Sequence, residues 1–293
     1  MKTHITFGLP RLPRLATREE QNEADAPSKT ELLPQFDRPL LFAHRGISSL
    51  YPENTMASFR AACDAGIPGI ELDVHLTKDG QLVVFHDDTT ERIGGGVADP
   101  STGGPGFFRL EETEYATLAA LDIGSWKGSE FAGERMPLLD DVLEEFGQRA
   151  YFDIEIKSRT RESQGLEPLL AATIRKYGME RRCIVSSFNP FALRWMKQIM
   201  PSLPTAIIYC DSKELYWFLR HGEGRWLAPV DILKPDHSLV KKRSELVRRF
   251  FGPKMRPFLP WTVDTDEEAR RVIDCGALGA ISNRPQDLSV FAL

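Results

Sequence analysis

Two histidines stand where apolar runs end: His44 in LLFAHRG and His86 in QLVVFHD. Histidine titrates near neutral pH and serves as general acid or base, and a pair at one mouth can do both jobs. Either one alone would more often be structural. Their company raises the expectation: Arg45 follows the first, Lys157 closes YFDIEIK, and acids gather in GIELDVHLT and YFDIEIK. Side chains alternate along a strand. Glu71 and Asp73 therefore share one face, as do Asp153, Glu155 and Lys157. Buried carboxylates are costly unless paired or bound to a metal. Converging at one mouth, Glu71, Asp73 and Glu155 would offer a hard divalent cation an oxygen-rich site. Ion pairs of Glu155 with Lys157 and of Asp73 with Arg45 are the plain alternative. His75 shares the face of Glu71 and Asp73, but reads as a capping or solvated histidine more than as a further ligand. Arg45 and Lys157 suit an anionic phosphate.

These residues need elements that bring strand ends together. LLFAHRG reads as a strand, followed by a helix over 55–65 that Asn54 or Thr55 can cap and Gly66 can end. GIELDVHLT and QLVVFHD read as strands joined by the turn KDG. Further strands are expected at YFDIEIK, CIVSSF, TAIIYC, DILKPD, RPFLPWTV and GAISN. Helices are expected at LLDDVLEEFG, 165–177, 191–199, KELYWFLR, 240–251 and 266–275. Leaving out the hairpin partner QLVVFHD, this makes eight strands with intervening helices. Repeated βα units imply a parallel sheet covered by helices, and eight of them fit a closed α/β barrel of the (β/α)8 TIM type. An open doubly wound sheet is the alternative, but no GxGxxG follows the first strand.

The stretch 89–135 breaks this rhythm with GGGVADPSTGGPGFF. No lysine follows its glycines as a phosphate-binding loop requires. It reads as a small insertion after the second barrel strand, covering one end of the barrel. Residues 1–38 mix proline and charge without sustained periodicity and read as an N-terminal arm, leaving 39–293 as the barrel. The net charge of −5 gives no reason to expect nucleic acid. The four cysteines stand far apart, so a disulfide framework or zinc site is not expected. No apolar run reaches the roughly 20 residues of a membrane span and the N-terminus shows no secretory pattern, so the cytoplasm is the default expectation.

In order along the chain, HRG, PENT, ELDVHLTKDG, VVFHD, IEIK, WTVD and GAISNRP resemble the glycerophosphodiester phosphodiesterase family. The similarity runs from about Leu40 to the C-terminus. The resemblance implies a (β/α)8 barrel and hydrolysis of glycerophosphodiesters to glycerol 3-phosphate and an alcohol, using one divalent cation, Mg2+ or Ca2+. It implies Glu71, Asp73 and Glu155 as metal carboxylates, and His44 and His86 as acid and base. It also implies Arg45 and Lys157 on the phosphate and Trp261 as a wall beside the glycerol. Glu53, Asn54 and Asp87 are expected to support these groups from behind. The family has no fixed ligand at the position of His75. The chain departs from the family's pattern in three places: Arg92-Ile93-Gly94 follow the HD motif, Asp264 ends the seventh strand where an amide is usual, and Ser282-Asn283 end the eighth where an acid is usual.

On this reading His44 works on a proton, Arg45 holds phosphate, and Gly46 lets the backbone turn close to the ligand. Attack by the glycerol 2-hydroxyl or by water, and the choice of acid and base between the histidines, stay open. Two alternatives are carried forward: a lysophospholipase D-like lipid phosphodiesterase, and a barrel that binds phosphodiesters without turning them over. Phe107-Phe108 and the basic run Lys241, Lys242, Arg243, Arg248 and Arg249 would suit weak contact with a membrane surface. A buried Phe pair and a solvated helix face are the favoured reading.

Overall fold

The computed structural model describes residues 39–93, 107–213, 215–241 and 256–291. The arm, the glycine-rich centre of the expected insertion and nearly all of the expected helix 240–251, with Lys242, Arg243, Arg248 and Arg249, lie outside the described residues.

Among the described residues, seven parallel strands form a curled sheet: β1 (Leu40–His44), β2 (Gly69–Leu76), β4 (Tyr151–Ile156), β5 (Cys183–Ser187), β6 (Thr205–Tyr209), β7 (Ile232–Pro235) and β8 (Gly279–Ser282), in the order β7-β6-β5-β4-β2-β1-β8. The short β3 (Leu82–Val84) pairs antiparallel with β2, as the KDG turn predicts. The expected strand RPFLPWTV is not a regular ladder strand. Pro257 and Pro260 carry no amide hydrogen, so only isolated bridges form, Leu233 to Phe258 and Asp236 to Trp261. The segment still joins the two edges of the sheet. Leu259 N and Trp261 N donate to Leu233 O and Pro235 O on β7, while Ile281 N donates to Pro260 O and Val263 N to Ile281 O on β8.

Helices α1 (Met56–Asp64), α3 (Leu139–Phe146), α4 (Leu166–Lys176), α5 (Pro190–Ile199) and α6 (Asp266–Asp274) follow the expected spans. Thr55 caps α1 in a reciprocal pair with Ser58, which leaves Asn54 for other work. The expected helix KELYWFLR is only a short turn at Trp217–Leu219. Residues 107–136, including the one-turn α2 (Tyr115–Leu118), pack around their own apolar cluster of Leu110, Leu118, Leu121, Ile123 and Met136 against Val83 and Phe85 of the hairpin. Phe108 is partly buried there, but Phe107 is 55% exposed, so the two do not form a buried pair.

Strand alternation sorts the core. Outward residues such as Ile70, Leu72, Phe152 and Ile154 pack under the helices. Inward, Phe42, Ile184, Ala206, Ile232, Leu259 and Ile281 form an apolar floor. Above that floor, towards the C-terminal strand ends, the inward side chains turn polar. The register aligns His44 with Glu71 and Glu71 with Asp153, and one layer higher Asp73 with Glu155 and Glu155 with Ser186.

Candidate active site

Glu71, Asp73 and Glu155 each present a carboxylate oxygen within 4.8 Å of the others, and all three are buried. They meet because two strands in register carry acids at alternate inward positions. The acids are also paired, as the plain alternative expects. Lys157 Nζ lies 2.6 Å from Glu155 Oε1 and 2.9 Å from Asp73 Oδ1, and Arg45 Nε lies 3.2 Å from Asp73 Oδ2. Asn54 Nδ2 donates to the same Asp73 oxygen at 2.8 Å. Burial alone would raise Asp73, but Lys157 and then Arg45 overcome it and hold the carboxyl well below its usual range. Glu71 goes the other way. Burial pushes it up to about 8; Lys234 opposes the shift, while Asp73, Asp153 and Glu155 add to it. A carboxylate so placed gains from further positive charge. The donor set is all oxygen, as hard divalent cations prefer, so Glu71, Asp73 and Glu155 fit such an ion.

His44 ends β1 with its side chain 12% exposed. Its Nε2 lies 3.8 Å from Glu71 Oε2, and its Nδ1 lies 2.6 Å from Asn283 Oδ1. Asp264 sets the direction of that amide. Its carboxylate accepts from Asn283 Nδ2 at 2.8 Å and from Asn283 N at 2.8 Å. A carboxylate only accepts, so Nδ2 faces Asp264 and Oδ1 faces the imidazole. His44 must then donate from Nδ1 when neutral, leaving the Nε2 lone pair towards the site. Burial, then the neighbouring Arg45, lower the His44 pKa well below 6.5. The departures at Asp264 and Asn283 are therefore one hydrogen-bonded unit behind His44.

His86 lies across the mouth and is about one-third exposed. Its Nδ1 sits 2.6 Å from Asp87 Oδ1. Arg92 Nε donates to Asp87 Oδ2 at 2.6 Å, and Arg92 Nη2 reaches Glu53 Oε1 at 2.7 Å. Glu53 also accepts from Arg45 at 2.9 Å. Arg92, the first departure after the HD motif, thus ties the support of His86 to that of Arg45. Burial works against the Asp87 charge, but His86 and Arg92 outweigh it and hold the carboxyl low.

One expectation changes. His75 is neither solvated nor a member of the acid cluster. It is buried, with Nε2 3.2 Å from His86 O, and burial lowers its pKa to about 4. At Gly46 the backbone turns with φ +80 and packs against α1, where a Cβ would come 2.3 Å from Ser58 Oγ. Its neighbour Arg45 also has positive φ, at +57, a conformation non-glycine residues adopt at a cost.

Sequence reading missed Lys234. It is fully buried beneath the cluster, with Nζ 2.9 Å from Asp153 Oδ2, 3.0 Å from Ser186 Oγ and 3.6 Å from Glu71 Oε1. Burial disfavours its charge, but Asp153 and Glu71 more than compensate and raise its pKa. The available signal was a lysine sharing its strand face with Ile232 in DILKPD. Trp261 borders the groove, anchored by Nε1 donating to Lys234 O at 3.0 Å and packed edge-on to Phe188 at 5.7 Å.

Residues 44–287 match the model of the glycerophosphoryl diester phosphodiesterase family. A glycerophosphodiester phosphodiesterase of Caldanaerobacter subterraneus subsp. tengcongensis is 38% identical over 256 residues, covering 86% of this chain and 96% of the relative. One from Bacillus subtilis is 29% identical over 274 residues, covering 89% and 88%. A phosphodiesterase of Oleispira antarctica, solved in complex with the product sn-glycerol-3-phosphate, superposes with a TM-score of 0.66 at 29% identity, covering 85% of this chain and 94% of the other.

Proposed function

The chain belongs to the glycerophosphoryl diester phosphodiesterase family, and from that premise we propose that it hydrolyses glycerophosphodiesters to glycerol 3-phosphate and an alcohol. We read the curled sheet, joined edge to edge by residues 257–263, as the (β/α)8 barrel of that family. The observation that carries the proposal is the buried cluster of Glu71, Asp73 and Glu155 at a groove that His44 and His86 both line.

Glu71, Asp73 and Glu155 would hold a divalent cation, which when bound polarises the phosphoryl oxygen as a Lewis acid. Arg45 and Lys157 line the same groove and orient the phosphate. His44 is the general base. Its Nδ1–H is committed to Asn283, its lowered pKa keeps it neutral at working pH, and its Nε2 lone pair takes the proton of the attacking oxygen. That oxygen belongs to the glycerol 2-hydroxyl or to water. His86 is the general acid. The Asp87 carboxylate holds Nδ1, leaving Nε2 to give a proton to the departing alkoxide. Trp261 walls the glycerol side. Lys234 holds Glu71 and Asp153 in place from below.

Release of alcohol from a panel of glycerophosphodiesters, measured in EDTA and again after Mg2+ or Ca2+ is restored, tests this reading. Activity should vanish in chelator and return with the ion. Full turnover in EDTA would remove the metal role. Binding without turnover of any diester would leave the non-catalytic alternative standing.

A further inference from the structure

A second, smaller chamber of about 200 Å3 adjoins the groove, and the two share Asp88, Lys157 and Arg159 as walls. Pockets for drug-sized ligands run roughly 300–1,000 Å3, so the chamber has room for a small alcohol. It lies on the hairpin side of the mouth. Asp88 comes two residues after His86, and His75, another wall residue, holds the His86 carbonyl. Leu76 and Leu166 are its apolar walls, and the other wall residues among those described carry polar side chains. The charges there are already matched. Arg159 Nη2 lies 2.7 Å from Asp88 Oδ2, and Arg109 Nη1 lies 3.7 Å from Glu111 Oε1. An ionic ligand would have to displace one of these partners, whereas a neutral hydroxyl can join them. Among the described residues no phenylalanine, tyrosine or tryptophan lines the chamber, so a quaternary ammonium would find no aromatic face. His75 is 6% exposed, and its Nε2 donates to a carbonyl, which only accepts. Its Nδ1 has no partner among the described residues. A buried polar atom left unpaired is costly. A hydroxyl both donates and accepts, so it pairs with Nδ1 whether or not that nitrogen carries a proton.

We propose that this chamber receives the departing alcohol, and that the diester the site takes best carries a neutral polyol there. The proposal rests on the phosphodiesterase reading, in which the alcohol leaves on the His86 side and the glycerol lies beside Trp261. A polyol alternates hydroxyls with carbon–hydrogen faces. Its hydroxyls would meet His75 Nδ1, Gln164 and the Asp88 carboxylate, and its carbon faces would lie on Leu76 and Leu166. Hydrolysis consumes one water and breaks the phosphorus–oxygen bond to the polyol. The glycerol 3-phosphate keeps the phosphate, and the polyol leaves with the proton.

The test compares kcat/KM for glycerophosphoinositol and for glycerophosphocyclohexanol, which keeps the six-membered ring and lacks its free hydroxyls. One hydrogen bond to a charged group corresponds to about tenfold or more, so the inositol diester should be favoured by at least about that factor. His75→Phe and Gln164→Leu should each lower the ratio of the two kcat/KM values. Any loss that His75→Phe causes through the His86 carbonyl is common to both substrates and cancels in the ratio. Should His75→Phe fail to fold, the exposed Gln164→Leu decides alone. A preference below about tenfold, or one that a folded variant leaves unmoved, overturns the subsite. If neither diester is turned over, the phosphodiesterase reading fails, and calorimetric binding of the two intact diesters decides the subsite separately. Tighter binding of the inositol diester, weakened in the variants, supports it; equal binding overturns it.

Discussion

His44 and His86 stand beside the same carboxylate cluster, but the two sides of the mouth treat an imidazole differently. On the β1–β8 side the ring is mostly covered, its Nδ1 partner is a neutral amide, and a guanidinium sits next to it. On the hairpin side the ring is about one-third exposed and its Nδ1 partner is a carboxylate. The first setting favours a neutral ring with a free lone pair; in the second, Asp87 holds Nδ1 and leaves Nε2 to give a proton. The acid–base assignment proposed above rests on these neighbours, since the two side chains are chemically identical.

The largest effects should come from removing either ring. His44→Ala and His86→Ala are each expected to lower kcat by ~10²–10⁴. Both sit at the mouth above the apolar floor, so thermal melting should change little. Near-normal turnover by either variant on a diester with an unactivated alcohol would strip that histidine of its role.

Exchanging the neighbours should blur the contrast. The base must be neutral, and its pKa lies below 6.5. The acidic limb of kcat/KM is therefore expected below pH 6.5, with activity lost as pH falls through that lowered value. The unfolded chain takes up the same proton near pH 6.5, so this group's contribution to stability is full above that pH and declines in acid. Asn283→Asp puts a carboxylate against His44 and should move the acidic limb upward by about one to three pH units. Asp87→Asn removes the carboxylate that holds His86 Nδ1 and should lower kcat. An acidic limb that stays fixed in Asn283→Asp, or unchanged kcat in Asp87→Asn, would contradict the assignment.

The inner part of the site was largely legible in the sequence, because strand alternation alone puts Glu71 with Asp73 and Glu155 with Lys157. The missed parts depend on contacts that no local pattern encodes. Lys234 finds Glu71 and Asp153 only when β7 curls round to face β2 and β4. Arg92 reads as a departure until it bridges Glu53 and Asp87. The seventh strand of the expected barrel is present as extended chain, but its two prolines cannot sustain a regular ladder.

A smaller effect concerns the unit behind His44. Asp264→Asn should weaken the hold on Asn283, measured as lower kcat/KM and a lower melting temperature. Combining it with Asn283→Asp should restore part of both losses, with a coupling of about 0.5–3 kcal/mol. Strict additivity would mean that the pair, although 2.8 Å apart, does not act together.

The central claim is that His86 gives a proton to the leaving alcohol and His44 takes one from the attacking oxygen. Turnover of a 4-nitrophenyl diester, whose phenolate leaves without a proton, compared with that of an alkyl diester tests it most directly. His86→Ala should recover to within about tenfold of the unmodified enzyme on the nitrophenyl substrate, while His44→Ala stays at least ~10² down on both. Recovery by His44→Ala and not by His86→Ala would contradict the assignment.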